Sequence, residues 1–184
     1  MSGAVAERSL RLFVACDLPD DVESRVREWQ RRLLAARPEL RFAGALHVTL
    51  CFLGSVDEAR LPDVTAALHG LTIPALPSGL GDAFFLPQGA RKRVVAVRVE
   101  DPSGGLVRLQ RDMSAALAHK RVYEPERRPW LPHLTVARFR RPGAAFSLQN
   151  VNVETFGLPS VVLYSSVLEK DGAVHSPLAT YPAG

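Results

Sequence analysis

Two short stretches, His47-Val48-Thr49-Leu50 and His133-Leu134-Thr135-Val136, repeat one pattern: His, apolar, Thr, apolar. In an extended strand, successive side chains point to opposite faces. His47 and Thr49 therefore share one face, with Val48 and Leu50 behind them. His133 and Thr135 share one face in the same way, with Leu134 and Val136 behind. A fold that accepts both copies must put a core behind each strand and leave the imidazole-hydroxyl faces accessible. Two such faces turned towards one another would enclose a single anion. This requirement narrows the possible architectures more than any other feature of the chain.

The elements around the two copies also repeat. Arg11–Cys16 is an apolar strand run, and Pro19-Asp20-Asp21 opens a helix, where negative charge suits the N-terminal dipole. Val22, Val26, Trp29, Leu33 and Leu34 mark an amphipathic helix over 21–37, stopped by Arg37-Pro38. Leu40-Arg41-Phe42 and a turn at Gly44 lead into the first His strand, expected over 46–53 and closed by Gly54-Ser55. In the second half, Arg93–Val99 is a strand, Asp101-Pro102-Ser103 opens a helix over 105–120, and the second His strand is expected over 133–139. Phe13 to His47 spans 34 positions and Val95 to His133 spans 38. The shared element order predicts an internal duplication.

Between and after these units, the periodicity predicts a helix over 57–71, with Pro62 near its start, and an irregular strand over 80–86. Gln88–Lys92 reads as a turn, as does Pro142-Gly143. A weakly alternating stretch runs from Phe146 to Phe156, and a strand is expected over 161–168. An Asp171-Gly172 hairpin turn should lead into a short final strand near Tyr181. The expected fold class is α+β: two lobes related by a pseudo-two-fold, each a mostly antiparallel sheet with helices on its outer face, around a central cleft. The 184 residues form one bilobal domain in this reading.

Composition sets limits. No apolar run approaches the ~18 residues of a membrane span, and Met1–Arg8 lacks the apolar core of a signal peptide. The expected location is the cytoplasm. Cys16 and Cys51 lie in apolar runs and read as buried, reduced thiols. The net charge of +4 is compatible with an anionic substrate without demanding one. Of the 23 basic residues, three are Lys and 20 are Arg, the side chain best shaped for bidentate phosphate contact.

Phosphodiester hydrolysis near neutral pH needs a base for water, an acid for the leaving oxygen and donors for the non-bridging oxygens. Two imidazoles can hold the first two roles, and two hydroxyls the third. A single His-x-Thr on a strand is usually structural; two at matching places in a repeated unit point to function. A metal site fits poorly, because no third ligand accompanies either copy in like pattern. His69, His119 and His175 read as surface or helix-end residues.

With their context, Arg41–Gly54 and Pro132–Arg138 resemble the 2H phosphoesterases. They are most similar to the bacterial and archaeal RNA 2′,3′-cyclic phosphodiesterases, historically called 2′-5′ RNA ligases (the LigT-like branch). Arg11–Ala15 and Val162–Leu168 also look like that branch, so the resemblance spans nearly the whole chain. It implies metal-free hydrolysis of a 2′,3′-cyclic phosphate to the 2′-phosphate with no cofactor, His133 as base, His47 as acid, and Thr49 and Thr135 on the phosphate. It also implies a phosphate contact from Arg138. By strict alternation Arg138 falls on the Leu134 face, so either the strand bulges after Val136 or Arg138 acts only from the side.

Phe42 and Trp130, just before the two motifs, are candidates for stacking on a base or for rim packing. Arg41, Arg91 and Arg93 are candidates for flanking phosphates. The expected partners are RNA ends or nucleotides bearing a 2′,3′-cyclic phosphate, met by a monomer away from membranes. Two alternatives stay open: ATP-independent, reversible 2′-5′ ligation of tRNA halves as the main role, and a catalytically idle RNA-binding module.

Overall fold

The computed structural model describes residues 8–151, 153, 155–169 and 172–184. The elements in chain order are β1 (Ser9–Asp17), α1 (Asp20–Ala36), β2 (Leu40–Phe42), β3 (His47–Asp57), a single 3-10 turn (Glu58–Arg60), α2 (Leu61–His69), β4 (Pro77–Leu86), β5 (Lys92–Glu100), α3 (Gly105–His119), β6 (His133–Gly143), β7 (Phe156–Gly157), β8 (Ser160–Glu169) and β9 (Gly172–Pro182).

The strands run β7-β4-β5-β6-β3-β1-β8-β9, with β2 added to β6, and every pairing is antiparallel. The centre of this order is its thinnest join: β3 and β6 meet at the single pair Val48↔Leu134. Outward from that join, each side repeats the same sequence of roles. A His strand (β3 or β6) pairs with the strand that opens its half (β1 or β5), which pairs with a third strand (β8 or β4). The result is two sheets meeting at a seam, in the α+β arrangement expected.

The helices cross this seam. α1 buries Val22, Val26, Trp29 and Gln30, yet it packs against β2 and β6, the sheet of the other half. α3, which buries Leu106, Leu109, Met113 and Leu117, packs against β3 and α2. Each half thus covers the other half's His strand with its own helix. One buried apolar cluster runs through both sheets, from Leu12, Val14 and Leu50 to Val97, Leu134 and Val136. Each fully buried Leu or Val adds roughly 1.5–3 kcal/mol of transfer free energy.

Several expected boundaries move. β3 does not end at Gly54-Ser55 but continues to Asp57. Gly54 has φ +73°, and Leu53 is skipped between the pairs Leu12↔Gly54 and Phe13↔Phe52. The glycine supplies the left-handed geometry of a bulge, and the strand resumes beyond it. β6 likewise runs through Pro142 to Gly143, which pairs with Lys92. Of Phe146–Phe156, only Phe156 joins a strand among the described residues. The expected α2 region starts with a 3-10 turn, and Pro62 falls in the first turn of the helix proper. The last strand is long, pairing with β8 from Ser160↔Pro182 to Glu169↔Gly172. Asp171 of the expected hairpin turn, and Met1–Glu7 of the terminal stretch, lie outside the described residues.

Candidate active site

The two His strands have the same burial pattern over their first six residues. His47 and Thr49 are half-buried, Val48, Leu50 and Cys51 are buried, and Phe52 is exposed. His133 and Thr135 are half-buried, Leu134, Val136 and Ala137 are buried, and Arg138 is exposed. Two buried residues in succession break the alternation, and the cause is a bulge at the same place in each strand. Ala15 faces Thr49 while Val14 faces Cys51, which skips Leu50. Ala96 faces Thr135 while Val95 faces Ala137, which skips Val136. The extra residue returns the third side chain after each Thr to the His face. Arg138 therefore reaches the cleft.

A bulge interrupts the ladder locally and leaves backbone groups in need of other partners. Both bulges are met by a glutamine from the opposite half. Gln30 Nε2 on α1 donates to the Val136 carbonyl at 2.5 Å, and Gln110 Nε2 on α3 donates to the Leu50 carbonyl at 3.3 Å. Gln30 is fully buried and also accepts from Arg27 Nη1, which in turn donates to the Gly44 carbonyl at 2.8 Å. That last bond holds the 43–45 loop, which forms one wall of the cleft.

The cleft measures about 380 Å³ and is lined by His47, Thr49, His133, Thr135 and Arg138 together. The expected constellation thus shares one cavity. Phe42, 52% exposed, and Arg41 also line it. Trp130 does not: it lies in an adjoining groove of about 400 Å³ with Thr49, Phe52 and His133, and its indole Nε1 donates to the Thr49 carbonyl at 3.1 Å. Its local role is to fix the first His strand. Arg91 and Arg93, at the β4–β5 turn and the start of β5, are not among the residues that line either cavity.

The two imidazoles sit in different surroundings. His133 Nδ1 lies 2.8 Å from the Leu131 carbonyl. A carbonyl can only accept, so Nδ1 carries the proton and, in the neutral ring, Nε2 is left as an acceptor. His47 packs against the Phe13 ring at 5.0 Å, with Tyr164 at 6.4 Å. The Tyr164 hydroxyl donates to both oxygens of Asp17 at 2.8 Å, and Asp17 lies directly across the ladder from His47. Burial, then the neighbouring His175, Arg138 and His133, lower the His47 pKa to about 4. Burial, then Arg41, also lowers the pKa of Arg138. Arg41 is its cross-strand neighbour in the β2–β6 pair.

His175 corrects the sequence reading. It lies on β9, lines the cleft, and meets His47 edge-on at 5.6 Å and Phe13 at 4.8 Å. Burial, then Arg11, lowers its pKa. Its place in the cleft follows from pairing with Ser166 on β8, a long-range register that no local pattern encodes. Arg11 is a second site residue that the sequence pattern does not single out: it lines the cleft and stacks over Phe52 at 4.8 Å. Of the other two histidines, His69 ends α2 against Tyr181 and His119 ends α3. Cys16 and Cys51 are buried free thiols, with pKa values raised to about 12, chiefly by burial. Thiolate chemistry is thereby suppressed.

Residues 18–163 match the family model described as the 2′-5′ RNA ligase superfamily. The chain is 30% identical to the RNA 2′,3′-cyclic phosphodiesterase of Thermus thermophilus, covering 94% of this chain and 89% of the relative. It is 27% identical to the enzyme of that name from Escherichia coli K12, covering 91% and 93%. A crystal structure of a Thermus thermophilus protein superposes with a TM-score of 0.82 at 25% identity, covering 94% of this chain and 97% of that one. Escherichia coli LigT crystallised with 3′-AMP superposes with a TM-score of 0.82 at 24% identity, covering 96% and 99%.

Proposed function

The chain belongs to the 2′-5′ RNA ligase superfamily, and from that premise we propose that it hydrolyses RNA and nucleotide 2′,3′-cyclic phosphates to 2′-phosphates with its two histidines as acid and base. The relatives that cover most of the chain are named for the cyclic phosphodiesterase activity. The observation that carries the mechanism is the shared cleft: both imidazoles, both threonines and Arg138 line one cavity wide enough for a nucleotide phosphate.

His133 is the base. Its Nδ1 proton is committed to the Leu131 carbonyl, so Nε2 is free to take a proton from water. The water oxygen attacks phosphorus, and the P–O3′ bond breaks. His47 is the acid that protonates O3′, leaving the phosphate on O2′. A pKa near 4 would leave His47 without a proton at pH 7. Burial is the main cause of that depression, with Arg138 and the neighbouring histidines adding to it; a bound phosphate anion acts the other way, stabilising the imidazolium, so the substrate equips its own acid. Thr49 and Thr135 donate to the non-bridging oxygens, and Arg138 balances the charge that builds on them. The bulges support this assignment for Arg138, since they turn it onto the face of the histidines. The matched registers and burial patterns of the two halves support reading the chain as one bilobal domain made by internal duplication.

The test is hydrolysis of a nucleoside 2′,3′-cyclic phosphate in EDTA, with the product followed by phosphorus NMR. A 2′-phosphate product at undiminished rate, lost in both His47→Ala and His133→Ala, supports the proposal. A 3′-phosphate product, strict metal dependence, or turnover surviving either substitution overturns it.

A further inference from the structure

The cleft carries more positive charge than one cyclic phosphate can use. A cyclic phosphodiester is a monoanion, yet Arg11, Arg41 and Arg138 all line the cavity. None of the three arginines pairs with a carboxylate, and no Asp or Glu lines the cavity, among the described residues. By contrast, Arg27, Arg32 and Arg60 outside the cleft each hold an acidic partner. Like charges left unpaired in a concave site destabilise it until an anion arrives.

These cations fall into two groups on either side of β3. Arg41 and Arg138 are cross-strand neighbours on β2 and β6. Arg11 on β1 lies with His175 on β9 and Ser166 on β8. Ser166 and His175 are a directly opposed pair, and both Ser166 Oγ and His175 Nδ1 are buried without a hydrogen-bond partner. Both residues line the cleft on the same side as Arg11, so this wall offers an imidazole and a hydroxyl beside an arginine that has no carboxylate partner.

We propose that Arg11 and His175, backed by Ser166, form a second phosphate subsite. It takes the phosphodiester one nucleotide inward from the cyclic end, so that RNA ends are preferred over cyclic mononucleotides. The subsite rests on the cyclic phosphodiesterase reading above and extends it to the class of substrate. Phe52, stacked under Arg11 and 45% exposed, holds the guanidinium over the cleft and leaves its edge free to donate.

The experiment compares kcat/KM for three substrates: a nucleoside 2′,3′-cyclic phosphate, a dinucleotide ending in the cyclic phosphate, and the same dinucleotide with a neutral methylphosphonate linkage. The two dinucleotides offer the same bases and differ in one charge. The wild-type protein should favour the charged dinucleotide over its neutral isostere by about tenfold, the size of one charge-assisted contact. Arg11→Gln should shrink that ratio to below about twofold and flatten the salt dependence for the charged dinucleotide by ~0.7 in log-log slope. His175→Asn should narrow the same ratio, mainly through KM. Equal turnover of the two dinucleotides, or a ratio untouched by Arg11→Gln, overturns the subsite and leaves the phosphodiesterase reading standing. If none of the three is hydrolysed, that reading fails and the subsite falls with it.

Discussion

His47 and His133 open strands with the same pairing, the same bulge and the same order of buried and exposed residues, yet their neighbours differ at each step. His47 is set among Phe13, Tyr164 and His175, faces Asp17 across the ladder, and has its pKa lowered to about 4. His133 faces Arg98 across the equivalent ladder, has Phe84 edge-on at 6.4 Å, and is oriented by a backbone carbonyl. Three residues after each Thr, one half places Phe52 and the other Arg138. The common backbone delivers two imidazoles to one cavity, and the unlike neighbours give them unlike surroundings: aromatic rings and His175 around His47, a backbone carbonyl at His133.

The largest effect should come from removing either imidazole. His47→Ala and His133→Ala should each lower kcat on a cyclic nucleotide by about 10²–10⁴-fold. The double variant should be little worse than the weaker single one, because the pair works as a unit. Multiplying losses would break the view that the histidines act in one step. Next comes the unlike pair after the threonines. Arg138→Ala should cost about 10–100-fold in kcat/KM through loss of a charge-assisted contact, and Phe52→Ala only a few-fold. Equal losses would mean that the two positions are equivalent after all.

The bulge supports sharpen the comparison through stability. Gln30→Met strips the donor from the Val136 carbonyl inside the core and should destabilise the fold by about 1–3 kcal/mol in urea unfolding. Gln110→Met, at a longer and half-buried bond, should cost under about 1 kcal/mol. The comparison also shows in the titration of His47. Its folded pKa, about 4, lies below the unfolded value near 6.5, so the unfolded state binds more protons between those limits. The contribution of His47 is therefore fully present above about pH 6.5 and is lost as pH falls towards 4. NMR titration should find this ring charging near pH 4, and inorganic phosphate should shift it upwards. A ring that titrates near 6.5 with no response to phosphate would show that its neighbours do not set its proton affinity.

Much of this arrangement was legible in the chain. The 3.6-residue spacing of Val22, Val26 and Trp29 and the apolar runs 93–99 and 161–168 marked the elements, because local burial patterns follow from which face meets the core. The two His-x-Thr pairs located the cleft. What stayed hidden depended on register. Gly54 carries the same turn chemistry whether it ends a strand or bulges it, and only the pairing with Leu12 decides. Arg138 could be assigned to a face only once Val136 was known to be skipped. His175 has no repeating neighbour and enters the cleft through the long β8–β9 ladder. Nothing local sets Gln30 apart from the other polar residues of α1, because its partner lies 106 positions away.

The crossing of the helices over the seam has a consequence for how this molecule can fail. Because each His strand is braced from behind by the opposite half, neither imidazole can be positioned locally. Fraying of α1 loosens the geometry at His133, and fraying of α3 loosens it at His47. Damage anywhere in the scaffold is thus shared between the two histidines, and partial unfolding should disturb both at once instead of leaving one side intact.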